Sequence, residues 1–371
     1  MSKGPLVMNT IAATASTTST VLPTPAELSA RLPLDEVARY RVQRARQEIR
    51  AILDGVDTRL LVIVGPCSIH DPKQGLEYAR NLARLAQQHR DHLLIVMRSY
   101  FEKPRTTVGW KGLINDPALD GSHDMARGLQ VARSFLRDVA ELGLPTATEF
   151  LEPLTAQYFS DLISWGAIGA RTTESQVHRQ LVAELPMPVG FKNGTDGGIQ
   201  VAIDACQASA AAQSFVGVDE HGRISQRSTE GNPATHLILR GGASGPNYSR
   251  PQIEQASAAM RAAGANGRVI VDASHANSGK DHVRQAEVLE ELAAEIASGE
   301  APIAGVMAES FLEAGAQKFT PGVDEPSALV PGVSITDACM GFEATERALA
   351  QLAQAVSLGQ QRREAGLSLG A

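Results

Sequence analysis

Four basic residues lie close together in the segment RSYFEKPRTTVGWKG, at positions 98–112. They are Arg98, Lys103, Arg105 and Lys111, in a chain of 371 residues whose formal net charge is −7. Guanidinium groups match carboxylates and phosphates with two parallel hydrogen bonds, and lysine adds a compact positive charge. The cluster therefore predicts a binding site for a small, strongly anionic molecule. The plainer alternative is a solvated turn.

Eight short apolar runs along the chain each end in a polar residue. In chain order they are Cys67, Arg98, Glu149, Arg171, Lys192, Arg240, His275 and Glu309. If the runs are parallel strands of one barrel, their carboxyl ends meet at one mouth, where active sites of such barrels form. Any one of these residues alone could be structural. Eight of them at one mouth predict a functional site.

Six cations form the first part of this predicted site. They are Arg98, Lys103, Arg105, Arg171, Lys192 and Arg240. Like charges at one mouth repel one another unless anions bind among them or carboxylates such as Glu149 compensate. The cations therefore indicate one or two substrates that carry several negative charges.

A second part of the site has the residue types of a metal centre. Thiol, imidazole and carboxylate groups would come from Cys67, His275, Glu309 and, in the loop VSITDAC, Asp337. Such a set accepts Mn, Fe, Co or Zn. The spacing signal alone is weak, because a free Cys is usually a small buried apolar group and a lone His is often a core residue. A closed barrel would bring the first, seventh and eighth strands together.

The elements that must position these residues follow a simple rhythm. Apolar runs such as LLVIVGPCS and LLIVMRS alternate with amphipathic stretches such as LEYARNLARLAQQ. Strands that alternate with helices imply parallel pairing and buried strands. Eight such units predict a (β/α)8 TIM barrel over residues 41–358. We expect a helix to begin near Thr155, and Cys206 and Cys339 to lie in helical segments.

Three segments fall outside the repeating units. Residues 1–40 begin with a stretch rich in Ser, Thr, Ala and Pro, which predicts a mobile N-terminal arm that serves as a regulatory or interface segment. In residues from about 214 to 229, apolar and polar side chains alternate on either side of a turn at His221-Gly222. This pattern predicts an inserted β-hairpin. Residues 359–371 are expected to form a flexible tail.

Composition excludes several classes of protein. The pI near 5.8 argues against nucleic-acid binding. No apolar segment reaches the roughly 18 residues that a membrane helix requires, and no secretory signal is visible. Three cysteines without a framework of pairs favour reduced thiols and a cytoplasmic location.

Seven motifs in order resemble the microbial type I, feedback-regulated 3-deoxy-D-arabino-heptulosonate 7-phosphate (DAHP) synthases, and most of all their tyrosine-sensitive members. The resemblance covers residues from about 40 to 355. The motifs are GPCSIHDP, RSYFEKPRTTVGWKGLINDP, GARTTESQVHR, GFKNGTDG, HLILRGG, DASHANS and SITDAC.

The resemblance implies a metal-dependent, aldol-like condensation of phosphoenolpyruvate with erythrose 4-phosphate and water. The products are DAHP and phosphate, in the first step of the shikimate pathway. Catalytic roles are implied for Lys103, Glu149, Cys67 and His275, with Glu149 positioning water. The phosphoenolpyruvate ligands would be Arg98, Lys103, Arg171, Lys192 and Arg240. The erythrose 4-phosphate ligands would be Lys103, Pro104, Arg105, Thr106 and Asp337. One divalent metal ion, with Mn as first choice, would bind to Cys67, His275, Glu309 and Asp337.

The same resemblance implies regulation by an aromatic amino acid, with tyrosine favoured. The effector pocket would lie between the helix after the third strand, the hairpin and a neighbouring subunit of a homodimer or homotetramer. Its residues here would be Phe150, Gln157, Phe215 and Gly217.

Three other functions compete with this one. Lys192 at the end of the fifth strand is compatible with a Schiff-base aldolase. The related synthase that uses arabinose 5-phosphate shares the barrel, although the KPRTT segment favours the four-carbon sugar. A non-catalytic barrel that senses phosphorylated sugars or aromatic amino acids would be expected to lack some of these ligands, and none is missing.

Overall fold

A computed structural model describes residues 18–105 and 108–369. Its strands are β1 (Leu60–Gly65), β2 (Leu93–Arg98), β3 (Thr146–Glu149), β4 (Trp165–Ile168), β5 (Val189–Lys192), β6 (Gln213–Val218), β7 (Ile224–Thr229), β8 (Thr235–Leu239), β9 (Val269–Asp272) and β10 (Ile303–Glu309). Its α-helices are α1 (Pro25–Arg31), α2 (Glu36–Leu53), α3 (Pro72–Gln88), α4 (Met125–Glu141), α5 (Gln176–Glu184), α6 (Gln200–Ala210), α7 (Arg250–Ala262), α8 (His282–Ala297) and α9 (Phe342–Leu369).

Eight parallel strands close into a barrel, as the alternating pattern predicted. Their order around the barrel is β1-β10-β9-β8-β5-β4-β3-β2, and β1 closes the ring by pairing with both β2 and β10. The remaining strands, β6 and β7, form a separate antiparallel hairpin. The predicted TIM barrel is confirmed, and the inserted hairpin lies where the alternation placed it.

The barrel interior is filled with apolar side chains. Leu61, Val96, Trp165 and Ile238 belong to one buried cluster that also includes Ile52 of α2. Because successive side chains of a strand alternate between its two faces, residues two positions further along lie on the same inner face. After Val96 and Ile238 those positions carry charged groups, Arg98 and Arg240, which lie toward the barrel mouth.

The segment after β3 differs from the helix expected there. Only a short 3₁₀ turn forms, Thr155–Tyr158. The carbonyl of Tyr158 accepts a hydrogen bond from the buried Arg133 Nη1 at 2.7 Å, and the Ile163 carbonyl accepts one from Arg46 Nε at 3.0 Å. Distant arginines therefore satisfy backbone groups that a helix would otherwise pair.

Cys339 also lies outside a helix. Its backbone pairs with Gly315 in both directions, at 2.8 and 3.1 Å, so the chain is extended there and α9 begins later. Cys206 does lie in a helix, α6, as expected.

The chain ends are more structured than expected where the structure describes them. Residues 1–17 of the predicted arm lie outside the described residues, but α1 follows, with a capping box at Thr24 and a buried Leu28. At the other end α9 continues to Leu369, through most of the predicted tail. Arg363 anchors this extension by donating to the Gly299 carbonyl at 3.1 Å. In the described parts of the chain, no helix has both the length and the apolar character for crossing a membrane.

Candidate active site

A layer of charged side chains lies directly above the apolar filling of the barrel. Arg98, Glu149, Lys192, Asp272 and Glu309 each end a strand, and each is buried. Arg98 Nη2 lies 2.8 Å from Glu309 Oε1, and Lys192 Nζ lies 2.8 Å from Asp272 Oδ2. Each buried ion pair thus links two strands that are separated by one strand in the ring, β2 with β10 and β5 with β9.

Asp272 is a member of this layer that the sequence interpretation missed. Its carboxylate accepts from Lys192 and also lies 2.9 Å from His275 Nδ1. Burial alone would raise the pKa of Asp272, but Lys192 and His275 outweigh burial and hold it well below its usual value. The run VIVD, in which the acid is the next inward position after Ile270, carried the signal for this residue.

Three of the four predicted metal ligands converge. Donor atoms of Cys67, Glu309 and Asp337 all lie within 4.8 Å of one another. Two ammonium groups adjoin them: Lys103 Nζ lies 3.1 Å from Cys67 Sγ, and Lys280 Nζ lies 3.3 Å from Asp337 Oδ1. A thiol and two carboxylates fit a divalent transition metal, and Lys103 lies beside them.

His275 lies outside this group of three but is oriented as a ligand would be. Its Nδ1 faces Asp272, and Ser274 Oγ lies 2.7 Å from the same nitrogen. A carboxylate on one ring nitrogen is the usual partner of a histidine that ligates a metal through the other nitrogen. Nε2 is therefore the atom of His275 that could bind a metal.

The carboxylates of this cluster keep their charge although they are buried. Burial raises the pKa of Glu309, but Arg98 and other cations outweigh it, so the pKa is lowered. For Asp337, burial is likewise outweighed, first by Lys103 and then by Lys280. Ionised oxygens are what a divalent cation requires.

The thiol and the ammonium beside these carboxylates respond differently. Burial and the charge of Glu309 raise the pKa of the Cys67 thiol. Burial lowers the pKa of Lys103, but Cys67 and Glu309 outweigh burial, and the pKa of Lys103 is raised overall. Lys103 is therefore a cation in this site, whereas Cys67 needs a bound metal ion to become a thiolate.

A cavity of about 300 Å³ opens above the charged layer. Predicted site residues line most of its wall: Lys103, Pro104, Arg105, Glu149, Arg171, Lys192, Arg240, His275 and Asp337. Thr172, Thr195, Lys280 and Thr336, which had not been singled out, line it too. One cavity thus holds five of the six predicted cations and includes Asp337 and His275 of the predicted metal ligands.

One of the predicted substrate ligands, Arg98, is absent from the wall of this cavity. Arg98 is fully buried below the cavity, where its Nε donates to the Pro66 carbonyl at 3.1 Å and its guanidinium stacks 3.7 Å from the Tyr100 ring. Arg98 is the last residue of β2, and its ion pair with Glu309 holds it in this buried position. Arg105 lines the cavity, and its Nε donates to the Trp110 carbonyl at 2.7 Å. Thr106 lies outside the described residues.

A second, smaller cavity of about 100 Å³ lies between the hairpin and α5. Gln157, Phe215 and Gly217, three of the four residues expected to form an effector pocket, line it. Arg227 also lines it, and a Cβ at position 217 would lie 2.7 Å from Arg227 Cγ. The space that Gly217 leaves is thus occupied by the stem of Arg227.

Phe150 is not part of this second cavity. It is buried in the main core, where its ring lies against Gly166. Because Glu149 points into the barrel mouth, the next side chain of the strand points outward to the helices. The expectation for Phe150 is therefore corrected.

Comparison with known proteins identifies the family to which the chain belongs. The model of the DAHP synthetase I family matches residues 34–350. The chain is 52% identical over 334 residues to the Trp-sensitive phospho-2-dehydro-3-deoxyheptonate aldolase of Enterobacter agglomerans, covering 90% of this chain and 94% of that one. It is 49% identical over 335 residues to the Tyr-sensitive enzyme of Escherichia coli K12, covering 90% and 93%.

A solved structure matches over nearly the whole chain. It is a phospho-2-dehydro-3-deoxyheptonate aldolase from Francisella tularensis, with a TM-score of 0.89 and 45% sequence identity. The match covers 93% of this chain and 99% of the other. With the closed barrel, the cation-lined cavity and the converging metal ligands, these matches place the chain in the DAHP synthetase I family.

Proposed function

We propose that this protein condenses phosphoenolpyruvate with erythrose 4-phosphate and water to give DAHP and inorganic phosphate, as a DAHP synthase of the shikimate pathway. One observation carries the proposal: a single cavity joins a wall of cations to a cluster of metal ligands. Lys103 lies at the junction, with its Nζ 3.1 Å from Cys67 Sγ. Two phosphorylated anions and one divalent metal would together balance these charges.

Phosphoenolpyruvate would bind deep in the cavity. Lys192, Arg240 and Arg171 line that wall and carry the charge for a phosphate and a carboxylate. Arg98 would support the site from below, since its guanidinium is buried and paired with Glu309. Cations on both ends of the substrate would fix its orientation.

Erythrose 4-phosphate would bind on the side of the β2–α4 loop. Lys103, Pro104 and Arg105 line the cavity there, and Asp337 faces them. Thr106 completes the proposed set. This arrangement would hold the aldehyde carbon of the sugar beside C3 of phosphoenolpyruvate, with its phosphate toward Arg105.

The reaction forms one carbon–carbon bond and one bond between C2 and the oxygen of water, and it breaks the bond between C2 and the phosphate ester oxygen. C3 of phosphoenolpyruvate attacks the aldehyde, and Lys103 donates a proton to the oxygen that becomes a hydroxyl. Water, held by Glu149, adds to C2, and the resulting phosphohemiketal expels inorganic phosphate to leave the ketone of DAHP. The surrounding cations stabilise the charge that develops on the departing phosphate.

A divalent metal would supply Lewis-acid activation of the sugar aldehyde. Cys67, Glu309 and Asp337 would hold it together with Nε2 of His275, and Mn is our first choice. Lys103 and Lys280, which adjoin these ligands, compensate their negative charge.

The alternative of a Schiff-base aldolase is disfavoured by the ion pair of Lys192. Its ammonium lies 2.8 Å from the buried Asp272 carboxylate. A side-chain nitrogen engaged in this ion pair is not available to attack a carbonyl carbon. The metal ligands would also have no purpose in such an enzyme.

The test is product formation from defined substrates. Purified protein with Mn is expected to release phosphate and form a seven-carbon keto acid phosphate from phosphoenolpyruvate and erythrose 4-phosphate, identified by mass spectrometry. Lys103→Met should lose about 100-fold or more of kcat/KM, because a proton donor and a substrate cation disappear together. Lys111→Met is the matched control on the same loop, because Lys111 does not line the active-site cavity.

Two results would contradict the assignment. Turnover with arabinose 5-phosphate but not with erythrose 4-phosphate would identify the related sugar-phosphate synthase. Trapping of a borohydride-reduced adduct on Lys192 would identify a Schiff-base aldolase.

We further propose that an aromatic amino acid, tyrosine, inhibits the enzyme through the second cavity. Apolar side chains of Pro153, Leu154, Leu181 and Phe215 would receive the ring. Tyrosine is expected to lower the rate, while equal concentrations of phenylalanine and tryptophan have little effect. Gly217→Ser should change this inhibition and leave the uninhibited rate unchanged, because the new side chain displaces Arg227 far from the substrates. Stronger inhibition by tryptophan would reassign the effector.

The assembly proposed for the protein is a homodimer or homotetramer in the cytoplasm. Val216 and Ile224 on the hairpin are 79% and 82% exposed, which is unusual for large aliphatic side chains and favours burial against another subunit. Multi-angle light scattering would measure the mass, and a monomer at micromolar concentration would contradict this proposal.

A further inference from the structure

Glu102 is a buried carboxyl group to which the proposed mechanism gives no role. It precedes Lys103 in the chain and is only 7% exposed. Its Oε2 lies 2.9 Å from Oγ1 of Thr155, the first residue of the 3₁₀ turn after β3. The side chain thus links the loop that carries Lys103 to a separate part of the barrel rim.

The Thr155 hydroxyl carries a single hydrogen, and this bears on whether the Glu102 carboxyl is protonated. Thr155 Oγ1 lies 2.9 Å from Glu102 Oε2 and 2.8 Å from the Glu152 carbonyl oxygen. A hydroxyl has one hydrogen and cannot donate to both acceptors. If Glu102 is protonated, its OH donates to Thr155, and Thr155 donates to the Glu152 carbonyl. Both contacts are then hydrogen bonds.

The charges around Glu102 favour the same protonated form. Burial raises the pKa of Glu102 to about 7, against the lowering effects of its bonds to Thr155 and the Glu152 backbone. The carboxylates of Glu152, in the turn after β3, and Glu149, at the end of β3, raise the pKa further. Lys103 is the next residue after Glu102 on the same loop, and the Lys103 ammonium is directed to Cys67.

The loop that carries Lys103 is also held at Lys111 and Gly112. With that end held, the contact of Glu102 with Thr155 fixes the other end of the loop and so the position of Lys103. The Lys103 N–H donates to the Lys111 carbonyl at 2.8 Å. Gly112 packs so closely that a Cβ there would lie 2.0 Å from the Phe101 carbonyl oxygen. The loop is therefore held between Gly112 and Thr155, and the Lys103 ammonium reaches the Cys67 carbonyl at 3.2 Å.

We propose that Glu102 is a positioning residue that works as a neutral carboxylic acid, holding Lys103 in place through its hydrogen bond to Thr155. The inference rests on the proposed role of Lys103 in the condensation. Ionisation of Glu102 removes the donor to Thr155 and adds a third negative charge beside Glu149 and Glu152. The link then breaks, and the Lys103 ammonium is displaced from the substrates.

The test is the pH profile of kcat/KM for erythrose 4-phosphate, measured on the Mn-loaded enzyme. The wild-type value is expected to fall by about tenfold between about pH 7 and 8.5, the behaviour of one essential acid. Glu102→Gln keeps the shape and a donor to Thr155 but cannot ionise. It should match the wild type within about twofold near pH 6.5 and lose the decline near pH 7.

Variants of Thr155 test the same link from its other end. Thr155→Val keeps the shape without the hydroxyl and should lower kcat/KM about tenfold, whereas Thr155→Ser restores the hydroxyl and the rate. A Glu102→Gln enzyme with an unchanged alkaline decline would overturn the proposal. So would a large loss of activity in Glu102→Gln at every pH, because the negative charge would then be required.

Thermal unfolding separates this inference from the proposed function. An acid whose folded pKa is raised contributes stability below its unfolded pKa, and that stability is lost as pH rises through the folded pKa. Glu102→Gln should therefore melt several degrees above the wild type at pH 8, with a smaller difference at pH 5. This readout needs no substrate. Equal melting at pH 8 would overturn the protonated form even if the enzyme condenses its substrates as proposed.

Discussion

At the scale of single residues, the site depends on buried charges that pair below the substrate cavity. Asp272 connects both halves of the site, because it pairs with Lys192 on one side and with His275 Nδ1 on the other. Ser274 donates to the same carboxylate through its backbone N–H at 2.9 Å and through its hydroxyl. Asp272 thereby orients a proposed substrate-binding residue, Lys192, and a proposed metal ligand, His275, at once.

Replacing this carboxylate should weaken metal binding. Asp272→Asn keeps the size but removes the charge that orients His275, and partners of this kind contribute about 10- to 100-fold to metal affinity. We expect Mn affinity, measured by competition with a fluorescent chelator, to fall by this factor. Asp204→Asn, an exposed helix position, is the control. Unchanged Mn affinity in Asp272→Asn would show that Asp272 does not orient the ligand.

At the scale of elements, the β2–α4 loop carries the residues proposed to bind erythrose 4-phosphate. Its backbone turns sharply at Gly112, where φ is +119°. Positive φ and the close approach to Phe101 together require glycine at this position. This close approach fixes the course of the loop beside Phe101.

Gly112→Ala should therefore displace the loop without unfolding the barrel. We expect kcat/KM to fall at least about tenfold, because small misplacements of catalytic groups are costly, while the circular dichroism spectrum stays the same. Gly121→Ala tests a glycine of the same connection, with φ +75° but no atom closer than 3.9 Å to the new Cβ. An equal loss in both variants would attribute the effect to backbone strain alone.

The elements also show how far the sequence allows prediction. The barrel strands follow from short apolar runs and the hairpin from local alternation, and the converging polar residues follow from barrel geometry. The missing helix after β3 could not be predicted, because its carbonyls are paired with Arg133 and Arg46 from distant parts of the chain. The position of Phe150 was predictable, since alternation from an inward Glu149 turns it outward. The link between Glu102 and Thr155 depends on packing and has no local signal.

At the scale of the whole molecule, two buried histidines make the free energy of unfolding depend on pH. Burial lowers the pKa of His70 and of His236 to about 4. His236 accepts a hydrogen bond at 3.1 Å from Trp165 Nε1 inside the barrel, and His70 packs edge-on against Phe311. Both rings are neutral in the folded protein near pH 7.

Stability should consequently fall as the pH is lowered from about 6.5 to 4. In that range the unfolded chain binds protons at these histidines and the folded barrel does not, so unfolding is favoured, by about 3 kcal/mol per residue at the lower end. His70→Leu is expected to reduce the slope of unfolding free energy against pH, measured by urea denaturation. His221→Leu, on the exposed hairpin turn, should leave the slope unchanged. Equal slopes for wild type and His70→Leu would contradict the neutral buried form.

The central claim is that one cavity combines anion-binding cations with a metal centre. The direct measurement is the rate of DAHP formation from phosphoenolpyruvate and erythrose 4-phosphate before EDTA treatment, after removal of EDTA, and after addition of Mn. We predict loss of activity on metal removal and recovery with Mn, and no recovery in a Cys67→Ala variant. Full activity in the metal-free wild type would contradict the assignment of Cys67, His275, Glu309 and Asp337 as metal ligands.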